Sequence, residues 1–161
     1  MVFALICDQE VSDLIIMRRD MSSKRQGYTA SSYIEALQLG LPSIWQPDRI
    51  LQQDNARVHT AKKTKAFLKQ QGIRWIHDWP PFSPDLNCIE HFWGLLKNRV
   101  YELYPDMEKW SSADGMIIER MEDALVHAWG TLDRQIVHTC TESMTRRCQA
   151  VVDANGWYTR Y

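Results

Sequence analysis

The chain has 161 residues, 45% of them hydrophobic and 24% charged, with a formal net charge of -1. That length and balance fit an ordinary globular domain with a sizeable core. They exclude a global positive field, so any nucleic-acid contact must come from local patches. The four cysteines, Cys7, Cys88, Cys140 and Cys148, form no Cys-x-x-Cys pair; their scatter argues against a disulfide framework or a zinc site and for a reducing compartment.

Met1 to Cys7 is apolar but lacks a basic leader and is cut short by Asp8 and Glu10. It reads as a strand, and neither as a signal peptide nor as a membrane span. Val2 to Cys7 and Asp13 to Arg19 are runs of strand length around a polar turn, Asp8 to Ser12, which predicts a hairpin. Met21 to Gly27 is a polar loop. Thr29 is placed to cap a helix running to about Leu39, with Tyr33, Ile34 and Leu37 on one face and Gly40 as its stop. Arg49 to Gln53 reads as a strand ending at Asp54. Thr60 to Gln71 reads as a helix with Thr64, Phe67, Leu68 and Gln71 inward and Gly72 as terminator, followed by a short strand, Ile73 to Ile76.

Trp79 to Asn87 is proline-rich, which excludes a regular element. A helical period then runs from Cys88 to about Tyr104 through Ile89, Phe92, Trp93, Leu96, Val100 and Leu103. Two more helices are predicted. One spans roughly Met116 to Trp129 and stops at Gly130. The other spans about Leu132 to Ala154, with Val137, Cys140, Met144, Cys148 and Val151 inward and Asn155-Gly156 as its cap. This order predicts a single α/β domain with a helical carboxy-terminal end.

Two acids stand out by position. Asp54 ends a predicted strand and is followed by Asn55, Arg57 and His59; Glu90 lies in the first turn of a helix, three residues after Asn87. Carboxylates held at a strand tip and a helix start are what a metal-dependent phosphoryl-transfer site requires. Two carboxylates about 4 Å apart repel by roughly 4 kcal/mol at an effective dielectric near 20, so convergence implies a cation or a raised pKa. Each acid also has a plainer reading. Asn87 to Glu90 has capping-box spacing, and Asp54-Asn55 suits an ordinary turn. Gly94, one turn beyond Glu90, suggests either a close-approaching group or close helix packing. Lys62, Lys65 and Lys69 share a helix face near Lys63 and Arg57, which suits phosphate contact or a solvated surface.

The segments Gln52-Gln53-Asp54-Asn55-Ala56 with His59, Trp79-Pro80-Pro81, Ser83 to Asn87 and Ile89-Glu90-His91 with Trp93 occur here in that order. Together they resemble the signature of mariner-like transposases, members of the DDE endonuclease superfamily. Thirty-five residues separate Asp54 from Glu90, close to that family's spacing, and the Ser143 to Tyr161 ending matches in style.

The resemblance implies a ribonuclease-H-like mixed sheet flanked by helices and a Mg²⁺ or Mn²⁺ site used to cut DNA and join its ends during transposition and integration. Asp54 and Glu90 would be catalytic metal ligands and Asn55 and His59 would shape the site. Arg57, Lys62, Lys63 and Lys65 would contact DNA. DNA is then the implied partner, a homodimer the candidate assembly and the nucleus the implied location.

Cys88 stands where the family often has proline, and the chain is expected to begin after the central strand that carries the family's first aspartate, without helix-turn-helix modules. Residues 1–161 are therefore expected to form a partial catalytic domain, inactive alone. The alternative is a non-catalytic nucleic-acid-binding or protein-interaction module. Without a central strand its neighbours must pair with each other, recruit a partner or stay frayed, because a buried unpaired backbone group costs about 1–3 kcal/mol.

Overall fold

The predicted hairpin forms, with a tighter turn than expected. The computed structural model describes every residue except Ser112, Asp114 and Tyr158. In it β1 (Val2–Phe3) pairs antiparallel with β4 (Ile15–Ile16), and β2 (Ile6–Cys7) with β3 (Glu10–Val11). Only Asp8 and Gln9 separate the paired Cys7 and Glu10, and Asp8 adopts a left-handed backbone (φ 52) that aspartate tolerates.

Between the two ladders Ala4 and Leu5 face Ser12, Asp13 and Leu14, so the second strand carries one extra residue, a β-bulge. Ser12 mends the break. Its hydroxyl accepts the Leu5 N–H at 2.8 Å and donates to the Asp13 carbonyl at 2.9 Å, while Trp129 Nε1 donates to the Ser12 carbonyl at 3.0 Å.

The bulge decides which side chains enter which core. It shifts the alternation of the strand, so Val11 and Leu14 face one side while Ile15 and Met17 face the other. Val2, Ala4, Val11 and Leu14 pack with Phe92, Leu96, Ala128 and Val137. Phe3, Leu5, Ile15 and Met17 pack with Tyr33, Ala36, Leu37 and Leu68. The hairpin is thus a wall between two apolar clusters.

Helix α1 (Ala30–Gly40) starts as predicted. Thr29 Oγ1 accepts the Ser31 N–H at 3.2 Å, and the Thr29 N–H reaches Ser32 Oγ at 3.4 Å. The α-helix ends at Gly40, as predicted, but without a left-handed cap. The chain stays right-handed there (φ -85, ψ -38) and runs into a 3-10 turn, Leu41–Ser43. The glycine is needed for space, since a Cβ would meet Ile15 Cδ1 at 3.0 Å and Phe3 Cε1 at 3.3 Å. Gly40→Val is expected to lower the unfolding free energy by about 1–3 kcal/mol through overpacking. Denaturant melts provide the check, and a variant as stable as wild type would show that the hairpin yields.

The predicted helix Thr60 to Gln71 appears as α3 (Lys62–Gln70), and the extended Ala61 (ψ 141) divides it from a preceding helical turn that was not predicted, α2 (Arg57–Thr60). Gly72 ends α3 with φ 66; its N–H bonds to the Lys69 carbonyl at 3.1 Å and the Ile73 N–H to the Leu68 carbonyl at 2.9 Å, a Schellman closure. Gln71, expected inward, is exposed because it occupies the cap.

The predicted strands Arg49 to Gln53 and Ile73 to Ile76 reduce to one parallel bridge, Leu51 to Trp75. It is held by the Leu51 N–H on the Arg74 carbonyl (2.8 Å) and the Ile76 N–H on the Leu51 carbonyl (3.1 Å). The sheet, expected to lack its central strand, consists among the described residues of small separate ladders in a mixed α/β fold. A cavity of about 270 Å³, lined by Ala4 to Asp8 on one side and Arg49 to Gln52 on the other, separates the hairpin from the bridged segment. Strands must approach to about 4.7–4.9 Å to bond, and across this cavity they do not.

Helix α4 (Ile89–Leu103) buries Phe92, Leu96 and Val100, as the periodicity predicts, and packs on α5 (Ile117–Gly130). The last predicted helix is divided at Ser143 into α6 (Gln135–Glu142) and α7 (Met144–Asp153). Ser143 Oγ bonds back to the Cys140 carbonyl at 2.6 Å, a contact that bends helices, and accepts Arg147 Nε at 2.8 Å. The break leaves Cys148, expected inward, exposed. Asn155 and Gly156 are left-handed (φ 53 and 78), as a cap requires.

Candidate functional site

Asp54 and Glu90, far apart in the chain, line one open cleft of about 410 Å³ together with Asn55, Trp79, Phe82 and Asn87. The Leu51 bridge anchors the segment that carries Asp54. Two side chains from that segment grip the proline-rich loop opposite. Gln52 Nε2 donates to the Leu86 carbonyl at 2.9 Å, and Asn55 Nδ2 to the Trp79 carbonyl at 2.7 Å. From the far side Arg147 Nη1 donates to the Asp85 carbonyl at 2.8 Å.

Asp54 is oriented through one oxygen. Oδ1 accepts the Ala56 N–H at 2.9 Å, so the turn chemistry is real, and lies 2.7 Å from His59 Nδ1, which donates when it carries the ring proton. Among the described residues no hydrogen bond reaches Oδ2, and the side chain is 52% exposed. A short network fixes His59 in turn. Its ring packs 4.3 Å from that of Tyr33, whose hydroxyl donates to Gln53 Oε1 at 2.8 Å; Gln53 Nε2 reaches the His59 carbonyl at 3.5 Å. Burial, and secondarily the charge of Asp54, push the Tyr33 phenol far above its ordinary value, so it remains a neutral donor.

Glu90 is free of capping duty. The cap of α4 is Cys88, which makes no side-chain capping bond, and the capping box suggested by Asn87 to Glu90 does not form. Asn87 Nδ2 donates instead to Glu90 Oε1 at 3.4 Å. Burial and then the negative charge of Asp54 hold the Glu90 carboxyl above the usual carboxylate range. Gly94 meets neither of its expectations, for nothing lies within 4 Å of where its Cβ would be. The helix face beyond Glu90 is open.

The predicted cations stand beside the cleft and not among its walls. Arg57 lies on α2 and Lys62, Lys63 and Lys65 on α3, all exposed, with Lys63 Nζ donating to Ser31 Oγ at 2.7 Å. Asp8 and Asp13 are likewise absent from the cleft walls. Sequence reasoning missed the clamping role of Gln52 and the Tyr33–Gln53 support of His59. Polar side chains flanking a carboxylate were the available signal.

The chain thus sets two carboxylates on one cleft of a mixed α/β fold, beside a cationic helix. The chain belongs to the DDE superfamily endonuclease family, whose model matches residues 13–110. It is similar to the Tc1 transposable element transposase of Caenorhabditis elegans, with 37% identity over 112 residues, 70% of this chain and 37% of that protein. The Tcb2 transposase of Caenorhabditis briggsae is 35% identical over the same coverage, and the Caenorhabditis elegans Tc3 transposase 30% identical over 65% of this chain and 29% of its own. The matched stretch thus spans well under half of each relative. Among the described residues no helix is long and apolar enough to cross a membrane.

Proposed function

We propose that residues 1–161 form part of a ribonuclease-H-like catalytic domain for DNA cleavage and strand transfer, with Asp54 and Glu90 as ligands of one divalent cation. The shared cleft of these two acids carries the reading. The open Oδ2 of Asp54 and the Glu90 carboxyl, its pKa raised by burial and then by its acidic neighbour, are hard oxygen donors facing one space. That donor set fits Mg²⁺ or Mn²⁺, which take one or two carboxylates and complete their shell with water and substrate phosphates. Such a cation, when bound, supplies Lewis-acid polarisation of the phosphate and activation of water.

The chain's own residues do the rest. His59 and the Ala56 amide fix the Asp54 rotamer, Asn55 and Gln52 hold the facing loop, and Arg57, Lys62, Lys63 and Lys65 meet the DNA backbone as it crosses the site. Among the described residues no three His, Cys, Asp or Glu side chains are grouped to hold an ion. That favours a second reading, DNA binding without cleavage.

Calorimetric titration with Mn²⁺ tests the proposal. Saturable binding is expected in the wild type and lost in Asp54→Ala; identical heats from both proteins would sink the metal site. Salt-dependent DNA binding that survives Asp54→Ala but weakens when Lys62 and Lys65 are reversed in charge would support the second reading.

A further inference from the structure

Phe82 combines two unfavourable features that nothing among the described residues offsets. Its side chain is 97% exposed, and its backbone is left-handed (φ 55), a conformation that strains a bulky residue. Strain of this kind gathers at ligand clamps. The location fits. Phe82 is a wall common to two clefts, that of Asp54 and Glu90 and a second of about 350 Å³ lined by Val151, Trp157, Thr159 and Tyr161.

The second cleft is lined by aromatic rings, and arginines stand against one of them. Trp157 is 73% exposed. The Arg147 guanidinium lies 4.9 Å and that of Arg160 5.5 Å from the centre of the Tyr161 ring. The positive charges of Arg160 and then Arg146 draw the Tyr161 phenol pKa below its ordinary value. Asp85, an acid on that wall, has Oδ2 engaged by Thr159 Oγ1 at 2.9 Å. Flat apolar rings along a groove, with arginines beside it, suit a strand whose bases are unpaired, because base faces can stack on the rings and phosphates can meet the guanidinium groups. A duplex buries its base faces and offers only the phosphates.

We propose that Phe82 and the carboxy-terminal cleft bind an unpaired strand of nucleic acid leading away from the two acids, one base stacking on Phe82 and the next on Trp157, with phosphates meeting Arg146 and Arg160. The direction of the strand rests on the nuclease reading above; the stacking itself does not.

Fluorescence anisotropy in EDTA, with a labelled oligothymidylate of about 15 nucleotides and a matched blunt duplex, tests this. Phe82→Ala is expected to weaken single-strand binding at least about fivefold while leaving duplex binding unchanged, and Phe82→Trp to restore it. Phe82→Gly, which relieves the backbone, should lose the same affinity yet melt no lower than wild type. Single-strand affinity within about twofold of wild type in Phe82→Ala overturns the proposal, as does an equal loss on duplex. A concentration-dependent dimer that Phe82→Ala dissolves would overturn it too, by assigning the ring to a second copy. Mn²⁺ binding is read separately. If it persists while Phe82 proves inert, only this inference fails; if it is absent while stacking holds, only the metal reading fails.

Discussion

Phe92→Ala is expected to lower the unfolding free energy by about 3–5 kcal/mol, a large share of a typical 5–15 kcal/mol. Phe92 is 1% exposed in the cluster formed by the hairpin, α4, α5 and α6, with its ring 6.3 Å from that of Trp129. Truncation removes the buried ring and leaves a cavity between elements that the Trp129 hydrogen bond to Ser12 fixes in place. The effect reaches the site, because Glu90 lies two residues before Phe92 on the same helix. Denaturant melts should show a lower midpoint with an unchanged slope. A loss under about 1 kcal/mol would mean that the cluster collapses to fill the space.

Glu90→Gln is expected to weaken Mn²⁺ binding by at least about tenfold, since even residues behind a metal's direct ligands are worth that much. The same substitution has an opposite effect on the metal-free protein. Because the folded Glu90 carboxyl is raised above its unfolded value, the folded state retains a proton through a window just above the ordinary glutamate range of about 4.3. The stability contributed by this group is present below the unfolded pKa and lost as pH rises through the folded one. Glu90→Gln should therefore flatten the stability profile in that window and leave the metal-free protein no less stable at neutral pH. Thermal melts from pH 4 to pH 7 with and without Mn²⁺ separate the two effects. Wild type and variant that coincide in both series would remove Glu90 from the site.

Much of this protein was legible in its sequence because the signals were local. The Thr29 cap, the left-handed Gly72 and Asn155-Gly156 endings and the apolar period of α4 are set by neighbours within a turn or two, and each appears where the residues place it. The family was legible in the segments around Asp54 and Glu90, and the family match includes both. Non-local geometry was not legible. A bulge of one residue put Val11 and Leu14, three positions apart, in the same core, and Gly40, where α1 ends, proved also to be a close contact with the hairpin. Ser143 split a helix by bonding to its own backbone, and two predicted strands shrank to a single bridge. Strand pairing depends on what lies alongside, which hydrophobic period does not encode. The sequence by itself determined which residues are acids, caps and core. Only the tertiary structure decided that Asp54 and Glu90 face one cleft and that Glu90 is not spent on capping, because the free energy of bringing distant groups together resides in packing.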